Sequence, residues 1–213
     1  MKVSGTRIAQ QLLQIKAIKL EPANPFLWSS GWRSPIYCDN RLILSFPEVR
    51  ALVRDEFSRL TGELYPDASL VAGVATGAIA HGVLVAEKLG LPFAYVRPEP
   101  KGHGLANRIE GRVSENDRVV VIEDLVSTGR SSLSAVEALR SAGCHVEGML
   151  AIFTYGFEEA ERRFRQWQCE LHSLTNYTAL IETARKMDLV SDNQLAALEE
   201  WRIDPAGWGV QNK

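Results

Sequence analysis

Val-Val-Val-Ile-Glu-Asp-Leu-Val-Ser-Thr-Gly-Arg-Ser-Ser, residues 119–132, sets an unbroken β-branched run against two acids and then a string of small polar residues. Val119 to Ile122 have the pattern of a strand covered on both faces in a parallel sheet, where the usual apolar/polar alternation disappears. Such strands present their carboxyl ends to ligands. Glu123 and Asp124 stand at that end. Neighbouring carboxylates pack poorly in a core but accept hydrogen bonds well from a vicinal diol, so both are expected to face a ligand rather than be buried. Ser127, Thr128, Gly129, Arg130, Ser131 and Ser132 then offer hydroxyls and free amides where a helix begins, an arrangement that attracts phosphate. Gly129 lets the backbone approach closely. The competing reading is an ordinary strand, turn and helix with capping serines and solvated acids. A Walker A loop is excluded because no Gly-Lys-Ser/Thr follows, and the glycine pattern of a dinucleotide fold is missing.

Outward from this stretch the chain alternates strand and helix. Leu70 to Val74, Phe93 to Val96, Val119 to Ile122 and Val146 to Phe153 read as strands, which favours a mostly parallel sheet with right-handed crossovers. Helices are expected over Ala78 to Leu89, stopped at Gly90, and Arg130 to Ala142, stopped at Gly143. Thr6 can cap a first helix with Ile8, Leu12 and Ile15 on one face. Ser45 with Pro47 starts another bearing Val49, Val53, Phe57 and Leu60. Between these helices, Asn24 to Asn40 mixes prolines, Gly31, two tryptophans and a tyrosine. That composition suits either an irregular cover over a pocket or a packed surface loop. Ser191 caps a last helix whose Leu195, Leu198 and Trp201 read as packing.

The bulk properties narrow the classes. A chain of 213 residues supports one main domain. With 24 basic and 26 acidic side chains the net charge is −2, so no global field recruits nucleic acid or an anionic membrane. Cys38, Cys144 and Cys169 suggest neither a disulfide framework nor a zinc site, and His81, His145 and His172 have no ligand spacing. No stretch resembles a signal peptide or a membrane span, and a cytoplasmic protein is expected.

The 119–132 segment resembles the phosphoribosyl-diphosphate (PRPP) binding motif of type I phosphoribosyltransferases. Two further stretches resemble the orotate-specific branch of that family. Tyr95-Val96-Arg97-Pro98-Glu99-Pro100-Lys101-Gly102-His103-Gly104, followed by Arg108-Ile109-Glu110-Gly111, is similar to its mobile catalytic loop, and Ser30-Gly31-Trp32-Arg33-Ser34-Pro35-Ile36-Tyr37 to its amino-terminal hood. The resemblance implies an α/β, type I phosphoribosyltransferase fold: a central, mostly parallel sheet flanked by helices with a small hood. One domain would divide into a hood over about residues 1–45, a core over 46–175 and a helical tail over 176–213.

It also implies a division of labour. Leu125 to Ser131, with Glu123 and Asp124, would hold PRPP, the acids on the ribose hydroxyls and the turn on the 5-phosphate. Thr76 and Gly77, in a second strand-to-helix turn over Gly73 to Ala78, would take a diphosphate oxygen; a plain tight turn is the alternative there. Arg97, Lys101 and His103 would bring cations over the leaving group from a lid at 97–112, for which a solvated basic loop is the alternative. Arg97, Lys101, His103 and Asp124 are the implied catalytic residues, and Ser127, Arg33, Ser34 and Tyr37 the implied orotate contacts. Magnesium is implied, held mainly by PRPP and water near Glu123 and Asp124 without direct protein ligands. So is a homodimer sharing lid residues across subunits. Purine-directed transfer, or PRPP sensing without reaction, are the other readings. The sequence departs from the enteric-type pattern at Ser29 and Thr76, where that pattern has lysines. Pro98 replaces a second loop lysine, and Gly156 after Tyr155 replaces an aspartate-arginine pair that meets the orotate carboxylate.

Overall fold

The computed structural model describes residues 5–28, 31–99 and 108–209. Helix α1 (Gly5–Gln14) leads into two small antiparallel pairs: β1 (Ile18–Leu20) on β4 (Ile36–Cys38), and β2 (Phe26–Leu27) on β3 (Arg33–Ser34). A 3-10 helix (Asn40–Ser45), capped by the Asp39 carboxylate, connects this hood to α2 (Pro47–Leu64). There follow β5 (Leu70–Val74), α3 (Ile79–Leu89), β6 (Phe93–Val96), β7 (Ile109–Glu110), β8 (Arg118–Val126) and α4 (Arg130–Ser141). The chain continues through β9 (His145–Thr154), α5 (Glu158–Gln166), β10 (Leu171–Asn176), α6 (Tyr177–Lys186) and α7 (Asp192–Ile203).

One six-stranded sheet organises the molecule, in the order β10-β9-β8-β5-β6-β7, parallel throughout except for β7 at one edge. From β5 the chain moves outward through β6 to β7, then returns to β8 on the other side of β5 and proceeds to β9 and β10. The strand order therefore reverses between β5 and β8, and in an open α/β sheet the crevice outside the carboxyl ends of such a pair is where ligands bind.

The β-branched run forms a strand because both of its faces are covered. Val119 and Val121 enter one core with Leu133, Val136 and Leu139 of α4 and Phe164 of α5. Val120 and Ile122 enter the other, with residues of α1, α2, α3 and the tail. Alternate residues of one strand thus serve two cores, which is why no polar position interrupts the run.

Four sequence expectations are corrected. The central strand extends to Val126, so Glu123 and Asp124 lie within it rather than at its end. The Asn24–Asn40 stretch is not irregular: it carries β2, β3 and β4, whose short ladders are too brief to leave a periodic signal. Phe46, not Ser45, stands at the amino end of α2, with Pro47 at its first turn. Thr6 lies inside α1 rather than capping it. The sequence also gave no strand at β7 or β10; β10 ends in Thr175 and Asn176 and has a weak apolar signature. Gly90 does terminate α3 in the left-handed region at φ 68°, and Ser191 caps α7 in a reciprocal box with Gln194.

Candidate active site

Glu123 and Asp124 diverge because successive side chains in a strand point to opposite faces. Glu123 turns toward α4 and is only 4% exposed. Its Oε2 accepts from the Ser132 hydroxyl at 2.8 Å and its Oε1 from the Asp124 N–H at 3.0 Å. Burial first, and the Asp124 charge second, push its carboxyl well above the usual range. Both Glu123 and Ser132, expected at the ligand, are thereby tied to each other inside the protein. Asp124 stays half-buried on the opposite face, its carboxyl raised chiefly by burial.

The switch between β5 and β8 brings the second turn to that acid. A methyl group at Gly77 would overlap the Asp124 carboxylate, so the turn packs against the acid only because residue 77 has no side chain. Thr76 is exposed beside it, and the Ala75–Thr76 peptide is cis. At the next strand, Arg97 leaves β6 to line a recess of about 560 Å³ with Ala75, Thr76, Ile79, Pro98 and Glu110. Its guanidinium lies 3.5 Å from Glu110. Arg108 clamps the opposite limb of this connection: its Nε donates to the Arg97 carbonyl at 2.9 Å and its Nη1 to the Ser134 hydroxyl at 2.9 Å. Lys101 and His103 lie outside the described residues. The three neighbouring strands β8, β5 and β6 thus present an acid, a turn and a cation in a row.

Gly129, in the left-handed region at φ 78°, turns the chain from β8 into α4. A Cβ there would lie 2.9 Å from the Phe164 ring. No side chain caps α4 or α3; at α3 the Ile79 N–H donates to the Thr76 carbonyl at 3.4 Å, and a helix start without a side-chain cap is a place where an anion can bind.

Beyond Ser127 and Thr128 a cavity of about 680 Å³ opens beneath the hood, lined by Leu27, Trp28, Trp32, Tyr37, Cys38, Leu125, Arg130, Tyr155 and Glu159. Tyr155 anchors its floor, 5.2 Å from Trp28 and 5.6 Å from Trp201 between ring centroids. The hood is pinned by indole nitrogens: Trp28 donates to the Ile36 carbonyl and Trp201 to the Arg33 carbonyl, each at 3.1 Å.

Of the expected base contacts, Ser127 and Tyr37 line this cavity and Ser34 does not. The Ser34 hydroxyl, fully buried, donates to the Ile36 carbonyl at 2.8 Å and serves the hood's own turn. Arg33 is exposed against Gly209 in the tail. Leu125 lines this cavity rather than the turn at Gly129, and Val126 is wholly buried. Trp28, Trp32, Cys38 and Tyr155 were not singled out by sequence; the aromatic density of the hood was the available signal. Gly156 has φ 65°, and a Cβ there would meet Arg202 Nη2 at 3.1 Å, so a guanidinium from α7 occupies the space a side chain at 156 would take.

Residues 45–184 match the model of the phosphoribosyl transferase domain. The chain belongs to the phosphoribosyl transferase family. Among its relatives, the orotate phosphoribosyltransferase of Porphyromonas gingivalis is 52% identical over 210 residues, covering 99% of this chain and all of that one. That of Bacillus caldolyticus is 51% identical over 202 residues, covering 95% and 98%. Among solved structures, the orotate phosphoribosyltransferase of Aeropyrum pernix superposes with a TM-score of 0.75 at 31% identity, covering 86% of this chain and 99% of that one. Leishmania donovani UMP synthase gives 0.79 at 25% identity, covering 94% of this chain, which spans 42% of that longer protein. In this phosphoribosyl transferase the matched span carries the acid and both turns, while Leu27, Trp28, Trp32, Tyr37 and Cys38 of the cavity precede it. The matched span thus holds the sheet's acid and turns, and the hood residues that close the cavity lie ahead of it.

Proposed function

We propose that the protein is an orotate phosphoribosyltransferase, which transfers the 5-phosphoribosyl group of PRPP to orotate, giving orotidine 5'-monophosphate and diphosphate in pyrimidine synthesis. The observation that carries this is the aromatic-walled cavity beneath the hood, which opens onto Leu125, Ser127 and Thr128, the residues that follow the half-buried Asp124 along the chain. Full-length relatives of that name support it.

In this reading the uncapped start of α4, over Thr128 to Ser131, seats the 5-phosphate through main-chain N–H groups. The Asp124 carboxylate accepts from the ribose hydroxyls and stabilises the positive charge that develops on the sugar as the bond to diphosphate breaks. Glu123 supports it from behind through Ser132 rather than by touching ribose. Thr76, Gly77 and Arg97 receive the departing diphosphate, with Lys101 and His103 from the lid. Orotate lies between the hood aromatics and Leu125, with Ser127 at its edge, and its ring nitrogen forms the new bond to the sugar carbon on the face opposite the leaving group. Arg130, on the cavity wall and 3.8 Å from Glu159, places a cation beside an anionic base.

Among the described residues no group of three or more acids, histidines or cysteines is placed to hold a metal, and Glu123 has both oxygens engaged. In this reading a magnesium ion would be carried by the phosphates and water with Asp124 close by, and would supply charge neutralisation for the leaving diphosphate. The same reading includes a homodimer sharing lid residues and a cytoplasmic location; no helix among the described residues is long and apolar enough to cross a membrane. Mixing the protein with magnesium, PRPP and orotate and following orotate absorbance tests the proposal. Orotate should be consumed; turnover of a purine base in its place would overturn it.

A further inference from the structure

We propose that Asn40 is a positioning residue for the transfer reaction, fixing Asp124 against the 74–78 turn. This rests on the reading of Asp124 as the ribose-binding acid.

Asn40 opens the 3-10 helix at the end of the hood and is 2% exposed. Its Nδ2 donates to the Asp124 main-chain carbonyl at 2.6 Å, at the short end for such a bond. The bond joins residues 84 positions apart and attaches hood to sheet at the acid itself. Cys38, two residues earlier, lies on the wall of the cavity beneath the hood. The segment that walls the cavity and the strand that carries the acid are therefore joined by one carboxamide.

Packing alone does not account for this choice of residue. Asn40 Oδ1 is buried without a hydrogen-bond partner, a cost that an apolar side chain of similar volume would avoid. What the carboxamide contributes is location. Gly77 already lies against the Asp124 carboxylate, leaving the acid little room on that side. The Asn40 bond holds its main chain from the hood side, so the carboxylate is set from two directions.

The test is a double-mutant cycle on the full chain, with kcat, KM for PRPP and melting temperature measured for Asn40→Ala, Asp124→Asn and the pair. Asn40→Ala should lower kcat/KM for PRPP about 10- to 100-fold, the range set by misplacing a reacting group by an ångström or less. In the Asp124→Asn background the same change should cost less than about 2-fold, because the carboxylate it positions is gone. Equal losses in both backgrounds, or a lower melting temperature with PRPP kinetics unchanged, would make Asn40 a structural strut and overturn the proposal. An Asp124→Asn variant that retains wild-type kcat/KM would instead sink the reading of Asp124 itself, and the proposal with it. Should Asn40→Ala not fold, Asn40→Ser takes its place, since it too removes the Nδ2 donor. It should show the same loss, confined to the intact Asp124 background, and no loss there overturns the proposal.

Discussion

The sheet and the hood build their two halves of the site by opposite means. At the carboxyl ends of β5 and β8 position comes from a parallel ladder in which Leu70 to Gly73 pair with Val119 to Ile122 residue for residue, so Gly77 and Asp124 meet with almost no freedom. In the hood the ladders are two or three residues long, and position comes from aromatic packing on Tyr155 and Trp201 and from a few long-range bonds. The difference teaches where each kind of substitution should act. Changes on the sheet should alter PRPP use with little loss of fold, whereas changes in the aromatic cluster should loosen the fold and the base cavity together.

Trp201→Ala is the strongest challenge to that contrast. Removing a fully buried indole should cost about 3–5 kcal/mol of stability, lowering the melting temperature by roughly 10 °C, and should raise KM for orotate more than KM for PRPP. A variant that loses PRPP binding first would erase the distinction. Asp124→Asn comes next: kcat/KM should fall about 100-fold with the melting temperature nearly unchanged, as steady-state kinetics beside a thermal melt would record. Gly77→Ala is milder, since a single methyl must displace the Asp124 carboxylate; KM for PRPP should rise about 10-fold with KM for orotate unmoved.

The smallest effect is one of pH. Glu123 has a folded-state pKa raised by burial, so between the ordinary glutamate value of 4.5 and its own folded value the native state holds a proton that the unfolded chain has released. Stability from this group is full below that window and is lost as pH rises through it. Glu123→Gln, which keeps the shape without the titration, should flatten the decline in melting temperature from pH 5 to pH 8. An unchanged slope would place the decline elsewhere.

The same contrast explains what could be read from sequence. Val119 to Ile122, Gly90 and Ser191 declared themselves because a strand covered on both faces, a left-handed terminator and a capping box are local patterns. The turn at Gly129 and the start of α4 at Arg130 were legible for the same reason. The separate fates of Glu123 and Asp124 were not, because they depend on the strand running on to Val126 and on Ser132 arriving from α4. Trp28 and Trp32 were visible as a concentration of aromatics, but their place over Tyr155 is set by packing between segments more than a hundred residues apart. Asn40 carried no local signal at all. Its partner is a carbonyl, and a carbonyl has no residue type.

The antiparallel return of Ile109 and Glu110 along Tyr95 and Val96 places both limbs of the intervening connection side by side at the outer rim of the sheet. Lengthening or trimming the chain between them would consequently pull on neither β5 nor β8. That edge is a natural splice point, where residues could be exchanged between relatives without disturbing the acid on β8 or the turn after β5.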